Sequence, residues 1–192
     1  MNNIDQFIKD KLNKMASCKR VYDIGGGSKS RYRQLFKEYI VVDVNPHYKP
    51  DIVGDIQDLP FNNNSIECVL CFSVFEHVEN PILAAEELYR VLKPGGKALL
   101  SIPFIWPSHG NKFYRDFWRF TEDGLRILFK KFSLVEVMPG GGYFSVMVNL
   151  IPSYTKIDRF FRPLAKFLDS KLSGKFFKNR RNITEFFVFL EK

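Results

Sequence analysis

Short apolar runs bounded by polar turns recur along this chain, and between them lie stretches whose apolar positions return every three or four residues. The short runs predict strands near 20–24, 40–44, 51–53, 67–72 and 97–102, with two more at 132–138 and 183–190. Ile4, Phe7, Ile8, Leu12 and Met15 share one helical face and predict an N-terminal helix over 3–16. Further helices are expected at 28–38 and at 80–92, where Pro81 suits the first turn. Thr121 has the chemistry of an N-cap, with Glu122 and Asp123 in the first turn and Leu125, Leu128 and Phe129 on the buried face. Alternating strands and helices predict an α/β fold. No internal repeat or low-complexity tract interrupts it.

One strand ends unusually. Val21-Tyr22-Asp23-Ile24-Gly25-Gly26-Gly27-Ser28 reads as a buried strand breaking into a glycine turn, with Ser28 able to cap a following helix. Such a turn offers backbone N–H groups to an electron-rich ligand. Asp23 narrows the choice, because a carboxylate two places before the first glycine repels a pyrophosphate and attracts a cation. The dinucleotide fingerprint G-x-G-x-x-G/A is met by Gly25 and Gly27 but not by Ser30. S-adenosylmethionine has no phosphate and carries both an ammonium and a sulfonium. The next strand, Ile40-Val41-Val42-Asp43-Val44, ends in an acid close to the spacing of about 20 residues expected for a ribose-binding carboxylate. Read alone, Asp43 fits a solvated acid opening a turn before Pro46 better than a ribose ligand.

Three further segments follow in order: Gly54-Asp55 with Leu59-Pro60-Phe61, then Phe75-Glu76-His77-Val78, then Leu92-Lys93-Pro94-Gly95-Gly96. With these the chain resembles the class I S-adenosylmethionine-dependent methyltransferases, over residues 19–140, and especially the subgroup with "GD-x-x-x-LPF", "LEHV" and "LKPGG" signatures. The resemblance implies a single Rossmann-like domain over 1–192: seven strands, mostly parallel, the last one antiparallel, flanked by helices. It implies S-adenosylmethionine as cofactor and S-adenosylhomocysteine as product. Asp23, Gly25, Gly26 and Gly27 would cradle the methionine end. Asp43 would take the ribose hydroxyls, with Val44 beside it. Asp55 and the Ile56 backbone would face the adenine edge, and Cys71 and Phe72 would wall the pocket. The chain departs from the pattern at Lys29, where the family often has a third glycine.

Methyl transfer asks the protein mainly to align nucleophile, methyl and sulfur. A base is needed only when the acceptor keeps its proton, as a hydroxyl does. Neither a metal site nor a nucleophilic triad is therefore expected. The connection 103–121 is long and rich in aromatic residues, which marks a lid-like functional loop. It resembles the "H...D-x-x-R-(F/Y)-T" stretch of many methyltransferases in the subgroup. His109 is the candidate base on the acceptor side, since an imidazole titrates near neutral pH, and Tyr114 is the second candidate. Otherwise His109 only orders the loop. Asp116 and Arg119, three apart, are expected to form an ion pair that pins the lid. Trp106 and Trp118 would line the acceptor pocket or anchor the loop, and His77 reads as structural.

Composition bounds the rest. The chain has 192 residues, 45% of them hydrophobic, enough for one domain with a substantial core. Three cysteines and the lack of a charged-then-apolar leader fit a soluble, reduced, cytoplasmic protein. Cys68 and Cys71 point to opposite faces of a strand, so they read as small buried residues, and no zinc or disulfide framework is expected. The net charge of +8 is concentrated late. Between Tyr154 and Arg181 nine basic residues face two acidic ones, in an insertion over 143–182 where the family often has a short turn. Ile157, Phe160, Phe161, Leu164, Leu168 and Leu172 follow helical spacing there, with Pro163 a kink or restart and Gly174 a stop. A basic amphipathic helix of this kind can lie on an anionic membrane. Nucleic acid is not favoured, because the motifs of DNA methyltransferases are missing. The expected acceptor is a small molecule, a saccharide hydroxyl or a lipid-linked intermediate. A non-catalytic S-adenosylmethionine-binding or membrane-associated accessory protein, and an RNA or protein methyltransferase, are the alternatives.

Overall fold

A computed structural model describes residues 3–27, 32–150, 157–169, 171 and 183–192. Its centre is a seven-stranded sheet in the order β3-β2-β1-β4-β5-β7-β6. The strands are β1 (Arg20–Ile24), β2 (Glu38–Asp43), β3 (Ile52–Val53), β4 (Ile66–Phe72), β5 (Leu92–Pro103), β6 (Leu134–Gly140) and β7 (Glu185–Glu191). Strands β1 to β5 pair in parallel, and β7 runs antiparallel between β5 and β6. This is the α/β, Rossmann-like arrangement that the alternation and the resemblance predict.

Parallel strands covered on both faces are apolar throughout, and β4 shows it: six of its seven residues are Ile, Cys, Val, Leu or Phe. Its two faces feed two cores. Helix α1 (Asn3–Met15) lays Phe7, Leu12 and Met15 on Val21, Tyr39, Val41, Cys68, Leu70, Leu99 and Phe189. Helices α2 (Pro81–Val91) and α3 (Glu122–Leu128) cover the other face over Ile24, Val69, Cys71, Phe75, Leu100 and Phe186. Both are capped, α3 by Thr121 as the sequence predicts and α2 by Asn80, which the sequence did not single out. Asn80 accepts from the Leu83 amide at 3.1 Å, and Thr121 from the Gly124 amide at 3.1 Å.

Three expectations are corrected. No helix fills 28–38 among the described residues: Arg33–Leu35 make one 3-10 turn, and β2 already begins at Glu38, paired with Arg20. Tyr32 and Phe36 pack back on Phe72 and Tyr39, at ring distances of 5.2 and 6.1 Å. Residues 28–31, including Ser28, Lys29 and Ser30, lie outside the described residues. Strand β5 starts five residues before the expected 97, because Leu92 pairs with Ile66 ahead of a bulge. The expectation of no disulfide fails as well, since Cys18 and Cys68 are paired, with Cα atoms 6.2 Å apart. Cys68 does face away from Cys71, but it meets Cys18 where the chain leaves α1.

The late insertion forms α4 (Tyr143–Asn149) and α5 (Ile157–Leu168). Helix α5 runs through Pro163 rather than restarting there. Asp169, just past its end, accepts from the Phe144 and Ser145 amides at 2.9 Å and so caps the start of α4. Leu172 and Gly174 lie outside the described residues. Among the described residues no helix is long and apolar enough to cross a membrane.

Candidate active site

In an open α/β sheet the crevice lies where neighbouring strands send their chains to opposite sides, beyond the carboxyl ends. Here that point falls between β1, whose chain continues to β2, and β4. Two turns border it: the glycine turn 25–27 after β1, and the segment 73–78 after β4.

Asp23 is buried and accepts a hydrogen bond from the Tyr39 hydroxyl at 2.7 Å. Its carboxyl carbon lies 2.6 Å from where a Cβ on Gly26 would stand, so only glycine fits beside it. Gly25 has a positive φ of 72°, its amide donates to the Val42 carbonyl at 2.7 Å, and the Val74 side chain occupies its Cβ position. Gly27, by contrast, opens on free space, with nothing described within 4 Å of a Cβ there. Asp43 is also buried. Its Oδ2 accepts from the Gly27 amide at 3.1 Å and its Oδ1 from the Asn45 amide at 2.9 Å. A carboxylate oxygen has two acceptor positions, so both can still receive a hydroxyl. A glycine turn open at Gly27, an acid on each side and spare acceptors on Asp43 make a cradle that fits S-adenosylmethionine.

The remaining cofactor candidates are placed unevenly. Val44 is exposed next to Asp43. Asp55 closes a turn, its Oδ1 accepting from the Gln57 amide at 2.8 Å, and the Ile56 side chain is in the core. Phe72 packs on Tyr32. Cys71 is fully buried, and burial, with the charges of Asp23 and Glu76 adding to it, pushes its thiol well up.

Above β4 the chain turns at Ser73, a non-glycine residue with φ 54°. This brings Glu76 and His77 over the strand end. The lid 103–121 closes on that segment: the Phe117 and Trp118 amides donate to the Glu76 carbonyl at 2.8 and 3.2 Å, and the Trp118 indole donates to the Val78 carbonyl at 2.8 Å. Asp116 and Arg119 form the expected pair, with bonds of 2.6 and 2.7 Å. The Arg119 guanidinium, by hydrogen bonding and charge, holds the Asp116 carboxyl far below its ordinary range. Arg119 also donates to the Trp106 and Pro107 carbonyls, and Asp116 accepts from the His109 amide. Trp106 itself sits under the Arg162 guanidinium of α5, 5.6 Å from the ring centre.

The latch delivers His109 to a place the sequence does not announce. Its Nε2 is 3.8 Å from Glu76 Oε1, and so is the Nε2 of His77. The two imidazoles are edge to face at 4.8 Å, and Tyr114 lies 4.4 Å from the His77 ring. At 3.8 Å neither histidine hydrogen-bonds the carboxylate. Glu76 is wholly buried, and neither of its oxygens has a hydrogen-bond partner among the described residues. Burial raises its carboxyl to about 7, and desolvation lowers the His77 imidazole. Glu76 was not singled out by its sequence, and His77 reads there as structural. The available signal was the Glu-His pair directly after an apolar strand.

A mostly parallel sheet with a bare glycine turn and two acids at its switch point defines the class: an α/β domain built to receive a nucleoside-type cofactor. Residues 22–100 match a family model described as a methyltransferase domain. Over 51 residues, 27% of this chain and 21% of the relative, the sequence is 37% identical to demethylmenaquinone methyltransferase of Protochlamydia amoebophila. Over 117 residues, 52% of this chain and 34% of the relative, it is 29% identical to the chloroplastic 2-methyl-6-phytyl-1,4-hydroquinone methyltransferase of Arabidopsis thaliana. The chain spans less than two thirds of the length of these curated relatives. In fold it is similar to phosphoethanolamine N-methyltransferase 2 of Haemonchus contortus in complex with S-adenosyl-L-methionine, with a TM-score of 0.62 at 19% identity, covering 99% of this chain and 52% of that one. Residues 22–100, less than half of the chain, are similar to that methyltransferase-domain family. The cofactor of that family is S-adenosylmethionine.

Proposed function

We propose that the protein moves the methyl group of S-adenosylmethionine to a hydroxyl of a small molecule held between the glycine turn and the lid. The observation that carries this reading is the meeting of two sites across one crevice. Val74 rests on Gly25 of the cofactor cradle, and two residues later Glu76 and His77 face His109 and Tyr114 of the lid. Two relatives carry names with small-molecule acceptors, demethylmenaquinone and 2-methyl-6-phytyl-1,4-hydroquinone, which supports an acceptor of that size. A saccharide hydroxyl or a lipid-linked intermediate is the acceptor class we infer.

Asp23 and Gly25–Gly27 hold the methionine end in this reading, Asp43 and Val44 the ribose, Asp55 and Ile56 the adenine edge, and Cys71 and Phe72 close the wall. S-adenosylmethionine supplies a methyl on a positive sulfur, which leaves as a neutral thioether once the acceptor oxygen bonds the carbon. The acceptor proton then needs a resting place. The His109 Nδ1 donates to the Pro107 carbonyl at 3.1 Å, which leaves Nε2 with its lone pair to take that proton. Asp116, 3.3 Å from Nδ1, steadies the imidazolium that forms. Tyr114 is the second candidate. The test is release of S-adenosylhomocysteine from purified protein fed small-molecule and RNA fractions separately. Turnover confined to the RNA fraction contradicts the reading. Unchanged turnover by His109→Ala removes His109 from the base role.

We also propose that α5 touches an anionic membrane. Phe161, Leu164 and Phe167 are 40%, 50% and 57% exposed beside Arg162 and Lys166, which is the surface of an interfacial helix. Flotation with phosphatidylserine vesicles at low salt tests it, and absence of co-flotation overturns it.

A further inference from the structure

The convergence of Glu76, His77 and His109 is stranger than a base with its helpers. Each imidazole turns its Nδ1 outward onto an acceptor: His77 onto the Arg115 carbonyl at 2.6 Å, His109 onto the Pro107 carbonyl at 3.1 Å with Asp116 at 3.3 Å. A carbonyl accepts only, so the proton of each neutral ring is on Nδ1. Both Nε2 lone pairs therefore point inward, to the same Glu76 oxygen at 3.8 Å. With Glu76 ionised, three electron-pair donors face one another with no hydrogen between them. The carboxylate is wholly buried, and neither oxygen is hydrogen-bonded among the described residues. A buried acid without a partner is expensive. Something positive belongs in that space.

We propose that Glu76, His77 and His109 bind a divalent first-row transition-metal ion of the zinc type, leaving open coordination positions on the lid side. The three ligand atoms lie within 4.8 Å of one another. Bonds of about 2.0–2.2 Å to imidazole nitrogen and carboxylate oxygen at tetrahedral angles place ligand atoms about 3.3–3.6 Å apart. The 3.8 Å edges lie slightly outside this, so an ion draws all three ligands inward, the widest pair most. Two histidines and one carboxylate are a ligand set of open-site zinc centres. The outward Nδ1–H bonds are the supports that fix ring orientation at metal-bound histidines. His109 is 31% exposed, so an ion can reach the space from its side.

The metal site stands on this geometry alone. It rests on the proposed function only for what its open positions face, an oxygen of the acceptor. With an ion bound, His109 Nε2 is a ligand and the acceptor's charge is met by the metal. The two readings thus give the same nitrogen different work, and metal content decides between them.

The experiment is titration of chelator-stripped, full-length protein with Zn²⁺ by calorimetry and with Co²⁺ by visible absorption. One ion per chain is expected. Glu76→Gln and His109→Gln should each weaken binding by at least the roughly 10–100-fold seen when only a supporting residue is lost. His47→Ala, which changes the one histidine outside the cluster, should leave stoichiometry and affinity unaltered. Absence of uptake, or equal affinity in the ligand variants, overturns the proposal. A thiolate-to-cobalt charge-transfer band overturns it too, by assigning the ion to a cysteine. S-adenosylmethionine binding, measured in the same samples, shows that each variant is folded. Cofactor uptake without zinc defeats the metal site and spares the proposed function, and zinc uptake without the cofactor does the reverse.

Discussion

Asp23 and Gly26 must be considered together, because the carboxylate fills the volume a Cβ would take. Gly26→Ala has to push Asp23 off the Tyr39 hydroxyl, a bond to a charged group of about 1.5–3 kcal/mol. We expect the dissociation constant for S-adenosylhomocysteine to rise roughly tenfold to a hundredfold, read by calorimetry, and an unchanged constant would show that Asp23 does not serve the cofactor. Glu76 makes a prediction of opposite kind. Its carboxyl is raised from 4.5 to about 7 by burial. Well below pH 4.5 it is neutral whether the chain is folded or not, and burial costs little. As pH rises towards 7 the unfolded chain gains an ionised carboxylate that the folded site resists, so stability is lost across that window, on the order of 3 kcal/mol. In chelator-stripped protein the urea midpoint should fall from pH 4.5 to 7. Glu76→Gln should flatten the fall, and parallel curves for the two proteins would contradict the burial argument.

The lid is held as a unit by side chains that read its own backbone. Arg119 binds Asp116 with two nitrogens and reaches the carbonyls of Trp106, Pro107 and Trp118. Lysine cannot copy that fork. Arg119→Lys should therefore speed proteolysis within 103–121 and accelerate hydrogen exchange at the Phe117 and Trp118 amides, while cofactor affinity stays within about twofold. Unaltered exchange would mean that the latch lies elsewhere. How legible such elements were depended on how local their causes are. Strands β1, β2 and β4 announce themselves because buried parallel strands are apolar on both faces. The Thr121 cap and the Asp116–Arg119 pair depend on neighbours three residues away. The segment 32–36 misleads because Tyr32 and Phe36 serve ring contacts with the sheet rather than a helical face. The Glu76–His77–His109 cluster is illegible for the opposite reason. A single acid before a histidine in an apolar stretch looks structural until the lid, on the far side of α2 and β5, folds His109 onto it.

At the scale of the molecule, two cores separated by one sheet place the chemistry at its carboxyl edge and leave the opposite edge to stability. The Cys18–Cys68 pairing ties the end of α1 to the middle of the sheet and leaves Cys71 as the free thiol. Thiol titration of denatured, unreduced protein should count one reactive cysteine and, after reduction, three. Three before reduction would refute the pairing. The central claim is the cradle between β1 and β2, and calorimetry with S-adenosylmethionine and S-adenosylhomocysteine tests it most directly. One molecule per chain should bind, with affinity reduced at least tenfold by Asp43→Ala, which removes the acceptors left for the ribose. Folded protein that takes up neither compound, or that binds them equally well without the Asp43 carboxylate, would contradict it.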